Sequence, residues 1–326
     1  MTTDFESHPP VVVGVDGSPH AALALDWAAD EASRRGAPLL VLEAFSPDFP
    51  AVRSAGPGEP PTPQPSSALR TAAEAGCAAA AARAREAHAD LDVTAMAVAG
   101  DPGTVLVEAS TTAPLVVLGA RGLGTIRGLL MGSVSAYVTP RSHCPVVVLR
   151  EKASHSLDGL RVVVGLAGDV SSAAALRFGF EFAAAHDLGL TVVHTWDLDF
   201  DDTAAAVAVS VDWQQADEQE RTVVAEVLAG YAGEFPTVDV RRDVVRGHPV
   251  AELVRQSENA ALLVLGTRGR RGVKSLVLGS VTHGVLHGAH CPVAVVPTSE
   301  DPTAHRELHP PKRQFHLPVP PVREHL

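Results

Sequence analysis

Two glycine-rich stretches of this 326-residue chain have the residue types and spacing of a phosphate-binding loop. The first follows an apolar run at 115–118 and contains Gly119-x-x-Gly122, nine further residues, and then Gly132-Ser133. Because glycines keep a loop free of side chains, its backbone N–H groups can approach an anion closely. The residues after Gly132 are predicted to open a helix, whose unpaired amides also favour an anion. The stretch therefore predicts a site for a polyphosphate.

Neither of the two common phosphate motifs is present. A Walker loop requires Gly-Lys-Ser/Thr at the helix start, and neither stretch has that lysine. A dinucleotide fingerprint needs glycine at its sixth position and follows the first strand, whereas here the sixth position is Arg127 and the loop follows the fourth strand. The sequence also has no Ser-His-Asp or Cys-His arrangement and no paired carboxylates near the loops. No catalytic and no metal-ligating residue is therefore predicted.

The second glycine-rich stretch is part of an internal duplication. Near the front of the chain, VVVGVDGS at 11–18 returns as VVVGLAGD at 162–169, which is 151 residues later. Towards the back, the separation is 147 residues for Gly119 and Gly266, Gly132 and Gly279, and Cys144 and Cys291. The second copy is thus four residues shorter in its middle. We expect one domain at 1–152, a second at 153–298, and a tail rich in proline and histidine at 299–326.

Within each copy, apolar runs alternate with helix-length segments. In the first copy, strands are predicted at 11–15, 39–44, 93–98, 115–118 and 146–149, and helices at 21–35, 67–88, 104–111 and 133–141. The second copy follows the same order, from 161–166 to 293–296. Apolar strands that are each followed by a helix indicate a parallel sheet covered on both faces. The predicted fold is α/β, with two tandem doubly wound domains of five parallel strands each.

Charge and composition exclude several classes of function. A net charge of −12 argues against nucleic-acid binding, because a binder needs a basic face to displace counterions. No apolar window approaches the length of a membrane span. Three cysteines without framework spacing are typical of a reducing compartment, and the first ten residues lack the pattern of a signal peptide. We expect a cytoplasmic protein that binds neither membrane nor nucleic acid.

The glycine spacing after a fourth strand, followed by HCPV and a fifth strand, resembles the ATP-binding branch of the universal stress protein family in both copies. The resemblance covers both copies almost end to end. It implies an adenine nucleotide alpha hydrolase-like fold, ATP with Mg as the ligand, and a part in stress responses. In that family an Asp after the first strand and the end of the second strand hold the nucleoside. The glycine loop and the Gly-Ser helix start hold the phosphates and the ribose.

Carried over position by position, the resemblance assigns a complete set of nucleotide-binding residues to the first copy and an incomplete set to the second. The first set is Asp16, Ala44, Leu118, Gly119, Gly122, Gly132, Ser133, Val134 and Ser135. The second set is Thr195, Leu265, Gly266, Gly269, Gly279, Ser280, Val281 and Thr282, with Ala167 where the first copy has Asp16. The lost carboxylate costs ~1–3 kcal/mol, or roughly ten- to hundredfold in affinity. The first site is therefore expected to be the stronger one. Asp16 also suits a helix-capping residue, so that role stays open.

Three functions remain open at this point. The first is an ATP-binding stress-response protein that senses or stores nucleotide state and signals through a partner protein, without efficient turnover. The second is a slow ATPase or another nucleotide-dependent enzyme. The third is an interaction module that binds no nucleotide. The resemblance further implies that the two fifth strands, 146–149 and 293–296, join the copies, and a homodimer of the whole chain is expected.

Overall fold

A computed structural model describes residues 8–46, 66–122, 131–150, 157, 159–167, 172–196, 212–267 and 278–298. In these residues, ten strands and eight α-helices alternate along the chain. The strands are β1 (Val11–Gly14), β2 (Leu39–Phe45), β3 (Val93–Ala99), β4 (Val116–Gly119), β5 (Val146–Leu149), β6 (Arg161–Leu166), β7 (Gly189–Trp196), β8 (Val240–Arg246), β9 (Ala260–Gly266) and β10 (Val293–Val296). The helices are α1 (Pro19–Arg35), α2 (Ser66–Ala87), α3 (Pro102–Ala109), α4 (Ser133–Val138), α5 (Ala173–Ala185), α6 (Trp213–Glu234), α7 (Pro249–Gln256) and α8 (Ser280–Gly288). The tail at 299–326 lies outside the described residues.

All ten strands form one sheet, in the order β3-β2-β1-β4-β5-β10-β9-β6-β7-β8. Each half of the sheet is parallel, so the predicted doubly wound α/β fold with five parallel strands per copy is confirmed. The halves meet where β5 pairs antiparallel with β10, with Val148 opposite Val293. This junction places the second copy beside the first by continuing its sheet.

The inner strands of the sheet are buried because helices cover both of its faces. One face packs against α1, α2, α5 and α6, and the other against α3, α4, α7 and α8. The valines of β1, β4 and β5 show almost no exposure to solvent, as expected for strands covered on both sides. The chain leaves β1 towards one face and β4, its neighbour, towards the other. That switch point opens a crevice at the carboxyl ends of the strands, where such sheets bind ligands.

The four-residue difference between the copies lies in one connection. Twenty residues separate β2 from α2, whereas 16 separate β7 from α6. The strand before this connection pairs in the same way in both copies, β2 with β1 and β7 with β6. In the described part of the chain, no helix has the length and apolar character needed to cross a membrane.

Candidate functional site

The turn between β1 and α1 carries Asp16 and fixes it in place. Asp16 Oδ1 accepts the backbone N–H of Ser18 at 3.0 Å. Ser18 in turn caps α1, since its Oγ accepts the N–H of Ala21 at 3.2 Å. The same hydroxyl lies 3.3 Å from the carbonyl oxygen of Arg121, to which it donates. The turn after β1 is therefore tied to the loop after β4, more than a hundred residues later.

The glycines of the first loop permit close approach of these two segments. A Cβ on Gly122 would collide with Oδ2 of Asp16, so the carboxylate lies directly against the loop backbone. A Cβ on Gly119 would come within 2.7 Å of the carbonyl carbon of His20 in α1. Only glycine fits at these two positions without a shift of the backbone or of the carboxylate. The structure thus brings Asp16, Gly119 and Gly122 together, as the sequence pattern required.

Gly132 differs from these glycines, because packing does not demand it. Its φ of −76° suits any residue, and a Cβ there would meet no atom closer than 3.4 Å. Its N–H donates to the carbonyl of Ala120 at 2.7 Å, which closes the loop. No side chain caps α4 at this glycine, and Ser133 and Val134 follow it on the first turn. A missing Cβ that the protein itself does not require leaves room for a ligand.

The hydroxyl of Ser135 has a partner within the protein. Its Oγ donates to the carbonyl oxygen of Gly119 at 2.7 Å, and the residue is buried. This bond fixes the first turn of α4 to the end of β4. In the second copy, Thr282 Oγ1 donates to the carbonyl of Gly266 at 2.9 Å in the same way. Both residues therefore position the loop backbone, and their phosphate role stays a prediction.

The ends of β2 and β4 complete the first site. Leu118 is buried at the end of β4, and Ala44 packs partly buried against the same apolar cluster, on the α3 and α4 face of the sheet. The side chain of Glu43, the residue before Ala44, lies on the face of the sheet that α1 and α2 cover. There it borders a cleft of about 350 Å³ between α1 and α2, which Asp16 and Ser18 also line.

Glu43 is a functional candidate that the sequence analysis missed. Burial, together with the negative charge of Asp16, raises the pKa of its carboxyl to about 7. A Cβ on Gly76 of α2 would lie only 2.5 Å from Glu43 Oε2, so this glycine makes room for the carboxyl group. The available signal was a charged residue inside the otherwise apolar run of β2. A titratable group beside a cleft is typical of ligand sites.

The second copy repeats the frame of the loop without its carboxylate. Gly279 donates its N–H to the carbonyl of Thr267 at 3.0 Å, as Gly132 does to Ala120. The N–H of Ala167, at the position of Asp16, instead reaches the hydroxyl of Ser172 at 3.0 Å. The remaining predicted positions are Thr195 on β7, Leu265 and Gly266 on β9, and Ser280 and Val281 on α8. Gly269 lies outside the described residues.

Two residues of α6 are larger than their counterparts on α2, which line the first cleft. Val223 and Val227 of α6 stand where α2 has Gly76 and Ala80, and His194 stands where β2 has Glu43. The buried ring of His194 is engaged on both sides. Its Nδ1 lies 3.0 Å from the carbonyl of Leu166, and its Nε2 lies 3.0 Å from Oε2 of Glu220. These contacts commit His194 to the core of the second domain.

The three cysteines have no partner thiol and are buried. Burial is the largest cause of a raised pKa at each of them: to about 11 for Cys77 and Cys144, and to about 12 for Cys291. Thiols with such pKa values are poor nucleophiles and poor metal ligands at neutral pH. They act as small packed side chains at the sheet surface.

Comparison with known proteins gives one consistent family. The model of the universal stress protein family matches residues 8–150 and, again, residues 160–297. The universal stress protein Rv2623 of Mycobacterium tuberculosis is 33% identical over 299 residues, which cover 87% of this chain and 95% of that protein. A universal stress protein of Mycolicibacterium smegmatis is 32% identical over 295 residues, covering 88% and 96%. The crystal structure of a universal stress protein from Archaeoglobus fulgidus covers 89% of this chain and 98% of its own, with a TM-score of 0.65 at 21% identity, and shares its fold.

Proposed function

The chain belongs to the universal stress protein family, and we propose that its first domain binds ATP as a regulatory ligand. The observation that carries this proposal is the contact between Asp16 and the glycine loop. A carboxylate held against the backbone of Gly122 presents a hydrogen-bond acceptor at the carboxyl ends of β1 and β4, the switch point where such sheets bind ligands. The missing Cβ of Gly132 leaves further room on the same side of the loop.

The charges of the site give the nucleotide a direction. Asp16 and Glu43 both lie at the cleft, so their carboxyls favour hydroxyl and amine groups there and disfavour phosphate. In the proposal, Asp16 accepts hydrogen bonds from the ribose hydroxyls, and Ala44 and Leu118 lie beside the base. The phosphates lie over Gly119, Gly122, Gly132, Ser133, Val134 and Ser135. Mg-ATP bound there would supply a strongly charged triphosphate to these groups.

The second domain is proposed to bind nucleotide weakly. Ala167 provides no acceptor for the ribose, and its own N–H is already bonded to Ser172. The loop frame is nevertheless repeated around Gly266 and Gly279. We expect one tight site per chain and a second site that is ten- to hundredfold weaker, as the loss of one hydrogen-bonding set implies. That weaker site comprises Thr195, Leu265, Gly266, Gly269, Gly279, Ser280, Val281 and Thr282.

The proposed role is regulatory rather than catalytic. Oδ1 of Asp16 is engaged by the N–H of Ser18, and its other oxygen lies against Gly122, so the group suits an acceptor role. The nucleotide-bound surface would be recognised by a partner protein in a stress response. Signalling through that partner, slow turnover and a homodimer of the chain are parts of this proposal.

The test compares matched substitutions in the two copies. Gly132→Asp places a carboxylate in the first loop, and Gly279→Asp does the same in the second. Purified full-length protein is titrated with Mg-ATP by calorimetry, and nucleotide retained from expression is measured after denaturation. We expect the parent protein to bind about one equivalent of ATP tightly per chain. Gly132→Asp should lose this tight binding, and Gly279→Asp should retain it.

Two results would contradict the proposal. The first is a parent protein that carries no nucleotide and takes up none from millimolar Mg-ATP. The second is an equal loss of ATP binding in Gly132→Asp and Gly279→Asp, because the tight site would then not belong to the first copy. Ala167→Asp adds a gain-of-function arm, since it restores the missing acceptor. It should strengthen the second site by roughly tenfold or more.

A further inference from the structure

Four basic side chains from both domains converge at the edge of the first glycine loop. Two belong to the first domain, Arg121 in the loop after β4 and Arg150 directly after β5. The other two, His283 and His287, lie on α8 of the second domain. These four residues form the basic cluster. The sheet junction explains how these residues meet although 166 positions separate the first from the last.

The antiparallel pairing of β5 with β10 builds the cluster. Because the two strands run in opposite directions, the end of β5 lies beside the start of β10. The helix that precedes β10 is α8, so its last turn reaches the residue that follows β5. A hydrogen bond makes this contact, since Nη1 of Arg150 donates to the carbonyl oxygen of Leu286.

Arg121 joins the cluster through the neighbouring strand. Ala120, the preceding residue, donates its N–H to the carbonyl of Leu149 at 2.7 Å, so Arg121 and Arg150 leave adjacent strands at the same edge. A Cβ on Gly132 would lie 3.5 Å from the Cα of Arg121, which places the cluster directly beside the proposed phosphate loop.

The basic groups of the cluster disfavour one another's positive charge. Burial, and then the positive charge of Arg121, lower the pKa of Arg150. Burial, followed by the charges of His283 and Arg150, likewise lowers the pKa of His287, whose ring centre lies 4.5 Å from that of His283. Within the described parts of the chain, none of the four forms an ion pair with a carboxylate. Basic groups that disfavour one another's charge favour an anion between them.

Three of the four cluster positions have no basic counterpart in the other copy, and the fourth counterpart, Arg268, lies outside the described residues. The 147-residue shift between the copies places Pro297 at the counterpart of Arg150, Ala136 at that of His283 and Pro140 at that of His287. None of these three side chains is basic. The basic groups after β5 and on α8 therefore lie beside the loop of the copy that has the carboxylate of Asp16.

We propose that the basic cluster binds the terminal phosphates of a nucleotide in the first domain, so that the second domain completes the site and makes it selective for a triphosphate over a monophosphate. This inference depends on the proposed function of the first domain. Acidic groups stand at the nucleoside end and basic groups at the phosphate end. The charge of the site therefore changes from negative to positive along the nucleotide, from the nucleoside to the terminal phosphate.

The experiment measures the affinity of the full-length protein for Mg-ATP and for AMP. His287→Asn and Arg150→Gln each remove one basic group, and we expect each to weaken ATP binding by about tenfold while AMP binding changes less than twofold. The control is Arg141→Gln, which removes a guanidinium that lies on Tyr137 at the end of α4. It should change neither affinity.

The outcomes separate this inference from the function on which it depends. A parent protein that binds neither ATP nor AMP would overturn the proposed function. A parent protein that binds both, with an ATP-to-AMP ratio unchanged in His287→Asn and Arg150→Gln, would overturn the inference alone. If Arg150→Gln disturbs folding through its lost bond to Leu286, the half-buried His287 gives the deciding variant.

Discussion

A buried ion pair between the two domains gives a sharp prediction about stability. Glu31 of α1 and His186 at the end of α5 meet with 3.0 Å between Oε2 and Nε2, and each side chain is only 4% exposed. The Nδ1 atom of the ring lies 2.8 Å from the carbonyl oxygen of Phe182, which can only accept, so Nδ1 carries a proton. Arg35 holds the other carboxylate oxygen at 2.6 Å.

The protonation states follow from these partners. Burial by itself would raise the pKa of Glu31, but the hydrogen bond to His186 and the charge of Arg35 outweigh it and lower the pKa. Glu31 is therefore a carboxylate, Nε2 of His186 must donate to it, and the ring is a cation. Replacing Glu31 by Gln leaves this cation buried with a neutral partner. Breaking one side of such a pair costs about 3 to 5 kcal/mol of unfolding free energy.

The pH dependence has a definite sign. A carboxyl with a lowered pKa in the folded protein stabilises the fold above its unfolded pKa, about 4.3, and this contribution is lost as the pH falls through the lower folded value. Glu31→Gln should remove that part of the acid sensitivity. The double variant Glu31→Met with His186→Phe should recover most of the lost stability, because an apolar pair of similar volume leaves no charge buried.

Urea denaturation followed by tryptophan fluorescence measures these effects, since Trp27 stacks on Phe182 at the same interface with 6.2 Å between ring centres. Arg83→Gln is the control, because it breaks an exposed ion pair with Asp26 that is worth less than about 1 kcal/mol. A loss in Glu31→Gln no larger than in this control would refute the reasoning. A double variant less stable than Glu31→Gln would do the same.

Further predictions concern the site itself. Because the pKa of Glu43 is raised to about 7, the unfolding free energy should fall as the pH rises from about 4.3 to 7, and Glu43→Gln should abolish this slope and gain roughly 1 to 3 kcal/mol at pH 8 in urea titrations. Gly122→Ala should displace the carboxylate of Asp16 and weaken ATP binding by about tenfold or more, measured by calorimetry. ATP affinity should increase as the pH falls below about 6.5 in the parent protein but not in His287→Asn, because burial, together with the charges of His283 and Arg150, lowers the pKa of His287 and an anion restores its proton.

The fold could be predicted from the sequence because its signals are local and occur twice. Valine-rich runs of four to seven residues, each followed by a helix-length segment, indicate buried parallel strands without any knowledge of the partner strands. The ends of elements were less certain. The helix predicted at 133–141 ends at Val138, because Pro140 has no N–H that could continue the helical hydrogen bonds. Conversely, α1 begins two residues earlier than predicted, because Ser18 caps it and proline suits the first turn.

The site was only partly predictable, because several of its contacts join residues that are far apart in the chain. The spacing of Gly119 and Gly122 and the position of Asp16 are visible in the sequence, and the structure brings all three together. The position of Arg150 beside α8 depends on the antiparallel pairing of β5 with β10, which the family resemblance implied but no local pattern shows. The direction of the Ser135 hydroxyl, towards a backbone carbonyl, is likewise a property of packing alone.

The two copies differ at the positions that are proposed to bind nucleotide. The first copy keeps Asp16 and small residues along α2, which leave a cleft beside the carboxylate. In the second copy, Val223 and Val227 replace Gly76 and Ala80, and His194 bonds to Glu220. The second domain presents His283 and His287 to its neighbour across the sheet junction. In the proposal, the weakening of the second site and the completion of the first are two consequences of the same divergence. Two measurements then test this divergence: the number of tight sites in Gly279→Asp and the preference for ATP over AMP in His287→Asn.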